Sequence, residues 1–305
     1  MTEPVQPVRM VFNDRADSIS CPCGSVLPSR EVFRTPTRKY WRCPSCDLMF
    51  LSPRPTAHSI REFYRNSYTQ VYGQLESSPD RSPVYSSVLR HLSRHRAPPG
   101  RLLDIGCGDG RFLALCREAG WTCYGVELSR EASEQAARRG ITMLPNDWLN
   151  LSPSPKEAAD RYDAITLINV LETVPDPVAV LRRVRQTLAP DGLVLIRVSN
   201  GAFHVPLRRT ARRVGLQFQQ AFHLFVYTPS AVQALFQSVG LESISVRNSR
   251  SSLAPIYASA RLARRLAWRA AGTGLWMGAQ VLYWLSGRRV VLAPSFEAAA
   301  RPQES

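Results

Sequence analysis

Apolar runs alternate with helix-like segments through the middle of the chain. Between one run and the next, apolar residues recur at the spacing of one helical face, and glycines such as Gly120 and Gly140 close the segments. The runs with the length of buried strands are 102–105, 122–126, 141–144, 162–168 and 193–198. This alternation predicts an α/β fold with a doubly wound, mainly parallel sheet.

Two further runs, at 241–246 and 290–293, complete a predicted seven-stranded sheet. The domain that contains this sheet is predicted to span 100–295. The alternation breaks down at 200–229 and at 250–287, which are expected to be insertions; in related folds such segments lie on the acceptor side of the sheet.

A glycine-rich turn follows the first strand of this domain. Residues 102–110 are Leu-Leu-Asp-Ile-Gly-Cys-Gly-Asp-Gly, and a helical segment begins directly afterwards. Glycine at Gly106, Gly108 and Gly110 lets backbone N–H groups approach a ligand, and strand, turn and helix together typically hold an adenosine-containing cofactor. The dinucleotide pattern needs glycine at position 111, where this chain has arginine. Asp104 suits a cationic ligand and would repel a pyrophosphate.

This stretch resembles motif I of the class I methyltransferases that use S-adenosylmethionine (SAM), whose sulfonium and ammonium groups are cationic. The resemblance implies that Asp104, Cys107 and the glycines of the turn bind SAM. Glu127 ends the second strand 17 positions after Gly110, where a ribose-binding carboxylate lies in adenosine-cofactor folds. Leu128 follows it in the same predicted site.

The ends of later strands resemble further parts of the same family. Asp147 and Trp148 follow the third strand, like the family's adenine-contacting acid and its hydrophobic neighbour, although Asn-Asp also simply makes turns. Residues 169–177 follow the fourth strand and resemble the family's Glu-His…Asp-Pro segment, in which Asn169 is expected to contact the cofactor. Thr173 stands at the histidine position, so a mechanism that uses that histidine is not expected.

Two close cysteine pairs lie in the N-terminal segment 1–56, which is predicted to be a separate small module. Four thiolates make a closed tetrahedral zinc site, and the first pair has one intervening residue where zinc ribbons usually have two. Residues 1–20 lack the apolar centre of an export signal, so a reducing cytoplasm with a structural zinc is favoured over disulfides. The predicted ligands are Cys21, Cys23, Cys43 and Cys46.

Aromatic residues mark the next segment, 57–99, which is predicted to be a helical linker or lid. Tyr64, Tyr68 and Tyr72 lie four residues apart, on one face of a helix. Together with the cysteine pairs and the Pro-Arg-Pro turn at 53–55, this stretch resembles the N-terminus of a bacterial subgroup of these methyltransferases. The tyrosines are either ordinary packing or part of a lid whose Tyr68 hydroxyl reaches the cofactor.

The irregular segment 200–229 is expected to help build the acceptor pocket. His223 is the candidate general base, because an imidazole near its ordinary pKa takes a hydroxyl proton at neutral pH. The alternative is a histidine that hydrogen-bonds a backbone group and shapes the pocket. SAM is reactive enough for positioning alone to contribute greatly to the rate.

Residues 261–287 are the least ordinary part of the chain. Arginines dot the first half, and residues 270–287 then carry no charge but include Trp276 and Trp284. Internal glycines argue against a membrane span. We expect a helical hairpin that either packs over the acceptor pocket or lies in a membrane interface. The Ala-rich tail at 296–305 is expected to be disordered.

The net charge of the chain is +15. That excess favours nucleic acid, an anionic membrane or an anionic substrate as partner, but no interleaved basic and aromatic platform for RNA is readable. We predict a cytoplasmic SAM-dependent methyltransferase, either free or peripheral on the inner membrane face. The predicted acceptor is an oxygen of a small molecule, a sugar or a lipid- or carrier-linked group. The alternatives are a zinc-containing rRNA methyltransferase and a non-catalytic SAM-binding subunit.

Overall fold

The structure is a computed structural model. It describes residues 21–25, 28–34, 38–67, 81–150, 161–213, 223–252 and 262–303. The strands in this part of the chain are β1 (Arg30–Arg34), β2 (Lys39–Arg42), β3 (Met49–Leu51), β4 (Gly100–Ile105), β5 (Trp121–Val126), β6 (Thr142–Met143), β7 (Tyr162–Ile168), β8 (Leu188–Ser199), β9 (Phe225–Val226), β10 (Leu241–Asn248) and β11 (Ser295–Pro302). The helices are α1 (Ala57–Glu62), α2 (Ser82–His95), α3 (Arg111–Glu118), α4 (Arg130–Arg138), α5 (Pro177–Thr187), α6 (Gly201–Arg213), α7 (Pro229–Ser238) and α8 (Leu262–Leu285).

The larger of two sheets contains seven strands in the order β10-β11-β8-β7-β4-β5-β6. The strands from β8 to β6 in this order are parallel to one another, and β11 is antiparallel to both of its neighbours. The predicted doubly wound, mainly parallel sheet is therefore confirmed. The strand order reverses between β4 and β7, and ligands of such sheets bind in the crevice beyond the carboxyl ends at that point.

The seventh strand lies further along the chain than predicted. Residues 290–293 are irregular, and β11 begins after them. The expected disordered tail at 296–305 is therefore wrong for the residues described there. Alanine and charged residues have little intrinsic preference for strands, so the composition of β11 gives no strand signal. Pairing with β8 on one edge and β10 on the other fixes this strand.

A buried carboxylate ties β11 to the rest of the domain. Glu297 is fully buried and accepts hydrogen bonds from Ser87 (2.7 Å), Ser249 (2.9 Å), His91 Nδ1 (3.0 Å) and Arg247 Nε (3.0 Å). Burial alone would raise the pKa of this carboxyl, but the hydrogen bond from His91 and the charge of Arg247 lower the pKa to about 2. Glu297 is therefore ionised in the folded protein at neutral pH.

The N-terminal strands are joined to the main domain, not separate from it as predicted. β1, β2 and β3 form an antiparallel sheet, and β9 of the main domain pairs with β3 as its fourth strand. Tyr40 and Phe50 are buried in the same apolar core as Leu103 and Ile165 of the large sheet. The ribbon therefore contributes to the wall of the main domain beside β9.

The C-terminal insertion contains one 24-residue helix, α8, in the described residues, where a hairpin was predicted. It packs against β10: the Tyr283 hydroxyl donates to the carbonyl oxygen of Val246 (3.2 Å), and Asn248 Nδ2 donates to that of Ala279 (3.0 Å). None of the helices described combines the length and the hydropathy that crossing a bilayer requires.

Candidate active site

The glycine turn after β4 is built from three residues with left-handed backbone. Gly106, Gly108 and Gly110 have φ values of +74°, +56° and +79°. A Cβ at Gly106 would lie 2.4 Å from Val170 Cγ2, and one at Gly110 would lie 2.9 Å from Ala136 Cβ. A Cβ at Gly108 would have no described atom outside its chain neighbours within 4 Å. Gly106 and Gly110 therefore allow the turn to pack, and Gly108 borders the open space that a cofactor can fill.

The Glu127 carboxylate lies against this open side of the turn. Its Oε2 accepts from the N–H of Gly108 (2.9 Å), and its Oε1 accepts from the N–H of Ser129 (2.8 Å). Burial raises the pKa of Glu127, and these backbone donors oppose the shift. A carboxylate fixed at the carboxyl end of β5 can accept hydrogen bonds from the hydroxyls of a ribose.

Asp104 is a buried acid beneath the turn. Its carboxylate is 2% exposed, and Thr166 Oγ1 donates to it at 2.6 Å. Burial raises the pKa of Asp104 to about 7, the charge of Glu127 adds to the rise, and the Thr166 hydrogen bond and Arg81 oppose it. A cation beside such a group favours its ionised form, so the site suits the positive charges of SAM.

Asn169 follows β7 across the crevice from the turn and has a left-handed φ of +59°. Its side-chain oxygen accepts from buried Arg197 and, at 3.4 Å, from Arg81 Nη2, and its Nδ2 donates to Glu172 Oε1 at 3.2 Å. Arg81 was not predicted as a site residue, because a single arginine at the start of α2 carries no motif. Its exposed guanidinium brings a positive charge to the cofactor crevice.

Asp147 and Trp148 occupy very different surroundings. Asp147 is exposed after β6, whereas Trp148 is 1% exposed, with the Arg183 guanidinium 4.5 Å above the centre of its ring. The indole is part of the core in this arrangement, so Asp147 is the member of the pair that is open to a ligand.

The other predicted cofactor residues also differ in their exposure. Cys107 is buried, and burial raises the pKa of its thiol. Its sulfur lies against Gly125, where an added Cβ would come within 2.7 Å of it. Leu128 is half-buried beside Glu127. Tyr68 lies outside the described residues.

Glu172 stands at the glutamate of the segment that resembles Glu-His…Asp-Pro, but it was not predicted as a site residue. It follows β7, has no exposed surface, and its Oε1 accepts from the N–H of Ser199 at 2.8 Å. In the described part of the structure, Oε2 of this carboxylate is buried without a hydrogen-bond partner. Leaving a buried polar atom unpaired costs free energy, which a donor on a bound ligand can offset.

His223 lies next to Glu172 because two backbone contacts hold it there. Tyr40 donates its hydroxyl to the carbonyl oxygen of His223 (2.8 Å), and the N–H of Leu224 donates to the carbonyl oxygen of Glu172 (2.7 Å). Burial lowers the pKa of His223, the Glu172 charge opposes this, and Arg208 adds to it. The imidazole is therefore neutral at neutral pH and able to accept a proton.

Thr173 stands at the family's histidine position but cannot act as a base in the way that a histidine does. Its hydroxyl donates to the carbonyl oxygen of Val170 at 2.8 Å, within the turn after β7. The side chain therefore stabilises local structure, and the nearby imidazole comes from a different segment of the chain.

The four predicted metal ligands meet in one cluster. The sulfur atoms of Cys21, Cys23, Cys43 and Cys46 lie within 4.8 Å of one another, and all four thiols are free. Two sulfur pairs lie 3.4 and 3.7 Å apart. Zinc bonded to four sulfurs at about 2.3 Å sets the sulfurs about 3.8 Å apart, so this donor set fits a structural zinc.

A cleft of about 680 Å³ lies between the ribbon and α6. Thr228 and Ser230 at the start of α7 donate to Asp47 Oδ2 at 3.0 and 3.1 Å, which fixes the floor of the cleft to the ribbon. Its lining includes two acids, Glu31 and Asp47, and Asp47 forms an ion pair with Arg42, but the arginines outnumber the acids: Arg30, Arg42, Arg209 and Arg289. This composition suits an anionic group.

The family model described as "Methyltransferase domain" matches residues 79–246, which is more than half of the chain. The chain therefore belongs to this family. Its seven-stranded sheet and glycine turn give it the class I fold of SAM-dependent methyltransferases, and its N-terminal four-cysteine cluster fits a structural zinc.

Individual relatives match only part of this chain. The ubiquinone biosynthesis O-methyltransferase of Aeromonas salmonicida is 32% identical over 104 residues, which cover 33% of this chain and 43% of that protein. The corresponding protein of Neisseria meningitidis serogroup C is 25% identical over 134 residues and is covered over 55% of its length. The chain thus spans about half the length of the curated relatives it matches.

Solved structures share the fold over nearly their whole length. Magnesium protoporphyrin IX methyltransferase from Synechocystis PCC 6803 has a TM-score of 0.54 at 10% identity, with 81% of this chain and 100% of that chain covered. Burkholderia thailandensis 1,6-didemethyltoxoflavin-N1-methyltransferase, with bound S-adenosylhomocysteine, has a TM-score of 0.53 at 17% identity, with 90% and 100% covered. At these identities the likeness shows the fold alone.

Proposed function

We propose that this methyltransferase transfers the methyl group of SAM to an oxygen atom of a small or carrier-linked acceptor. The observation that carries the proposal is that His223, half-buried and neutral, adjoins Leu224, whose N–H donates to Glu172, and that the carboxylate of Glu172 has one buried oxygen without a partner. Oxygen nucleophiles carry a proton that must leave, and this pair can receive it. The name O-methyltransferase of the curated relatives supports oxygen as the acceptor atom.

In this proposal the cofactor lies over the glycine turn. SAM supplies a methyl group activated by a sulfonium. Gly108 leaves space for it, Glu127 accepts hydrogen bonds from the ribose hydroxyls, and Asp104 balances the positive charge of the cofactor. Arg81 binds the carboxylate of the amino-acid part, because a guanidinium is suited to two parallel bonds with a carboxylate. Asp147 accepts from the adenine amino group.

The acceptor then occupies the space between the cofactor and His223. As the acceptor oxygen forms its bond to the methyl carbon, the carbon–sulfur bond breaks and its electron pair returns to sulfur. The acceptor proton passes to the imidazole of His223 and later to water. The Glu172 carboxylate stabilises the imidazolium in between, since an opposite charge in a buried site favours the charged form.

The cleft between the ribbon and α6 is lined by neither His223 nor the cofactor residues, so in this proposal it holds an anionic group that extends from the acceptor beyond the reacting oxygen. Arg30 and Arg289 line it and are exposed, and arginine binds phosphate and carboxylate groups well. A phosphate-bearing carrier or an acidic small molecule fits this composition better than a neutral apolar molecule.

Methyl-labelled SAM, purified protein and a fractionated cell extract test this proposal. We expect label in the small-molecule and lipid fractions, and much less there with the Glu172→Gln variant. Label that enters only RNA or protein would refute the proposed acceptor. Glu242→Gln is the matched control, because Glu242 is exposed on β10, outside the site.

A further inference from the structure

Helix α8 lies on the surface of the protein, but its apolar side chains face the solvent and its polar side chains face the protein. From Ala270 onward, its exposed face is apolar, whereas polar groups face the protein: Gln280 Oε1 accepts from Asn248, and the Tyr283 hydroxyl donates to the β10 backbone. A surface helix ordinarily points its apolar stripe inward. The exposed apolar side chains are Leu275, Met277, Val281, Leu282, Trp284 and Leu285.

These side chains form a continuous patch. Leu285 is 81% exposed and Trp284 is 60% exposed, and positions 275, 278, 282 and 285 follow helical spacing along one face. Gly274 and Gly278 lie on this face with open space where a Cβ would stand. Contiguous apolar patches of this kind mark contact surfaces, because water solvates them poorly.

Positive charge borders the patch. The Arg288 guanidinium lies 4.7 Å above the ring of Trp284, and Arg289 beside it is exposed. Between Glu242 and Glu297 the chain has eight arginines and no acidic residue, so more than half of the net charge of +15 belongs to this segment. The charge of an anionic surface complements it.

The exposed face offers almost no hydrogen-bonding side chains. A protein partner typically forms a hydrogen bond for every 100–200 Å² of interface, roughly, and needs polar groups at the rim. Lipid tails need none, and lipid headgroups accept bonds from arginine. An apolar face with tryptophan and flanking arginines is typical of helices that lie in a membrane interface.

We propose that the exposed face of α8 docks on an anionic lipid bilayer. The helix lies in the plane of the interface, with Trp284 and Leu285 among the acyl chains and Arg288 and Arg289 at the headgroups. Docking there places Arg289, which also lines the cleft beside the ribbon, next to the membrane surface.

Sedimentation of the full chain with vesicles tests the docking. We expect binding to vesicles of phosphatidylcholine with phosphatidylglycerol, weaker binding to pure phosphatidylcholine, and a blue shift of tryptophan fluorescence. Leu285→Ser should weaken binding about tenfold, the loss expected for one buried leucine. Leu207→Ser is the matched control, because Leu207 is 43% exposed on a different helix, α6, and is not part of the patch on α8.

The charge is tested in the same assay. Changing both Arg288 and Arg289 to Gln should weaken binding to the anionic vesicles by about thirtyfold and remove the preference for them. Changing Arg90 and Arg94 to Gln removes equal charge from exposed positions on α2 and should cause a much smaller loss.

Two results would overturn the proposal. One is binding that is absent, or equal on both vesicle types and unchanged by Leu285→Ser. The other is a concentration-dependent dimer in ultracentrifugation that Leu285→Ser abolishes, without vesicle binding, since Gly274 and Gly278 would then seat a second copy of the helix. The melting temperature of each variant should match that of the wild type, because all the changed side chains are exposed.

Discussion

The backbone N–H of Leu224 donates to the carbonyl oxygen of Glu172 at 2.7 Å, and this contact places His223 beside a fully buried carboxylate. The two segments are distant in the sequence, and the ribbon secures the arrangement from the other side through Tyr40. Catalysis and the stability of the ribbon are therefore expected to depend on each other.

His223→Gln should lower kcat by about 10²- to 10⁴-fold, the usual contribution of a general base. SAM affinity should stay unchanged, because in the proposed function His223 acts on the acceptor and not on the cofactor. In the wild type, kcat should fall as pH drops through the pKa of His223, which burial sets below its ordinary value. The variant should lack this acid limb. An unchanged kcat would instead support the alternative of a histidine that only shapes the pocket.

SAM affinity should depend on the ionisation of Asp104. Its pKa is about 7 in the cofactor-free protein, and the positive charges of SAM prefer the ionised carboxylate. Below pH 7 the dissociation constant should therefore rise, by up to about tenfold per pH unit, and level off above it. Calorimetry across pH measures this. Asp104→Asn should bind weakly with a flat profile at these pH values, while Asp191→Asn, an exposed control, should behave as the wild type.

Gly108→Ala and Gly110→Ala should impair different properties of the protein: the first SAM binding, the second stability. The first adds a methyl group to open space at a φ of +56°, so it should cost about 1–2 kcal/mol in stability but markedly reduce SAM affinity. The second places a Cβ 3.0 Å from the backbone of Ala136, so the loss of melting temperature should dominate. Equal losses of affinity at equal stability would contradict the assignment of the open side to Gly108.

The purified chain should contain about one zinc ion. Cys43→Ser should lower the zinc content, the melting temperature and kcat together, because metal binding is coupled to folding and the ribbon sheet includes β9. Cys116→Ser changes an equally buried thiol outside the cluster and should leave the zinc content unchanged. Elemental analysis of both variants separates these effects, and full zinc content in Cys43→Ser would exclude the cysteine from the site.

Glu297→Gln should lower the free energy of unfolding by about 2–4 kcal/mol, because it removes the buried carboxylate that balances the partly buried Arg247. The folded pKa of about 2 lies below the ordinary 4.5, so the carboxylate stabilises the wild type above pH 4.5. That contribution should decline as pH falls from 4.5 towards 2. Denaturant titrations measure both effects. An unchanged stability in the variant would mean that the end of the chain does not belong to the core.

Local pattern was sufficient for much of the large sheet. The fourth predicted strand, 162–168, has the bounds of β7, because its apolar run is buried on both faces. Local pattern was insufficient to predict β11. Its Ala-Ala-Ala segment shows no strand preference, and the strand is fixed by neighbours on both edges. The pairing of β9 with β3 is a long-range contact of two-residue length, which no periodicity reveals.

The candidate site also contains residues that the sequence alone predicts and residues whose role depends on the packed structure. Asp104, Glu127 and the glycines are adjacent to strand ends, so motif and spacing were sufficient to predict them as cofactor residues. Glu172 could not be distinguished, because its significance lies in an unpaired oxygen that only the packed structure shows. Trp148 was expected at the adenine, but its environment depends on Arg183 from a separate helix.

The nature of the methylated atom is the most direct test of the proposed function. SAM with a ¹³C-methyl group is incubated with the protein and the small-molecule fraction, and the product is examined by NMR. A methoxy carbon signal is expected, reduced with Asp104→Asn because SAM binds that variant weakly, and strongly reduced with His223→Gln. A product methylated on nitrogen or carbon, formed at full rate by the His223→Gln variant, would contradict O-methylation at the Glu172–His223 site.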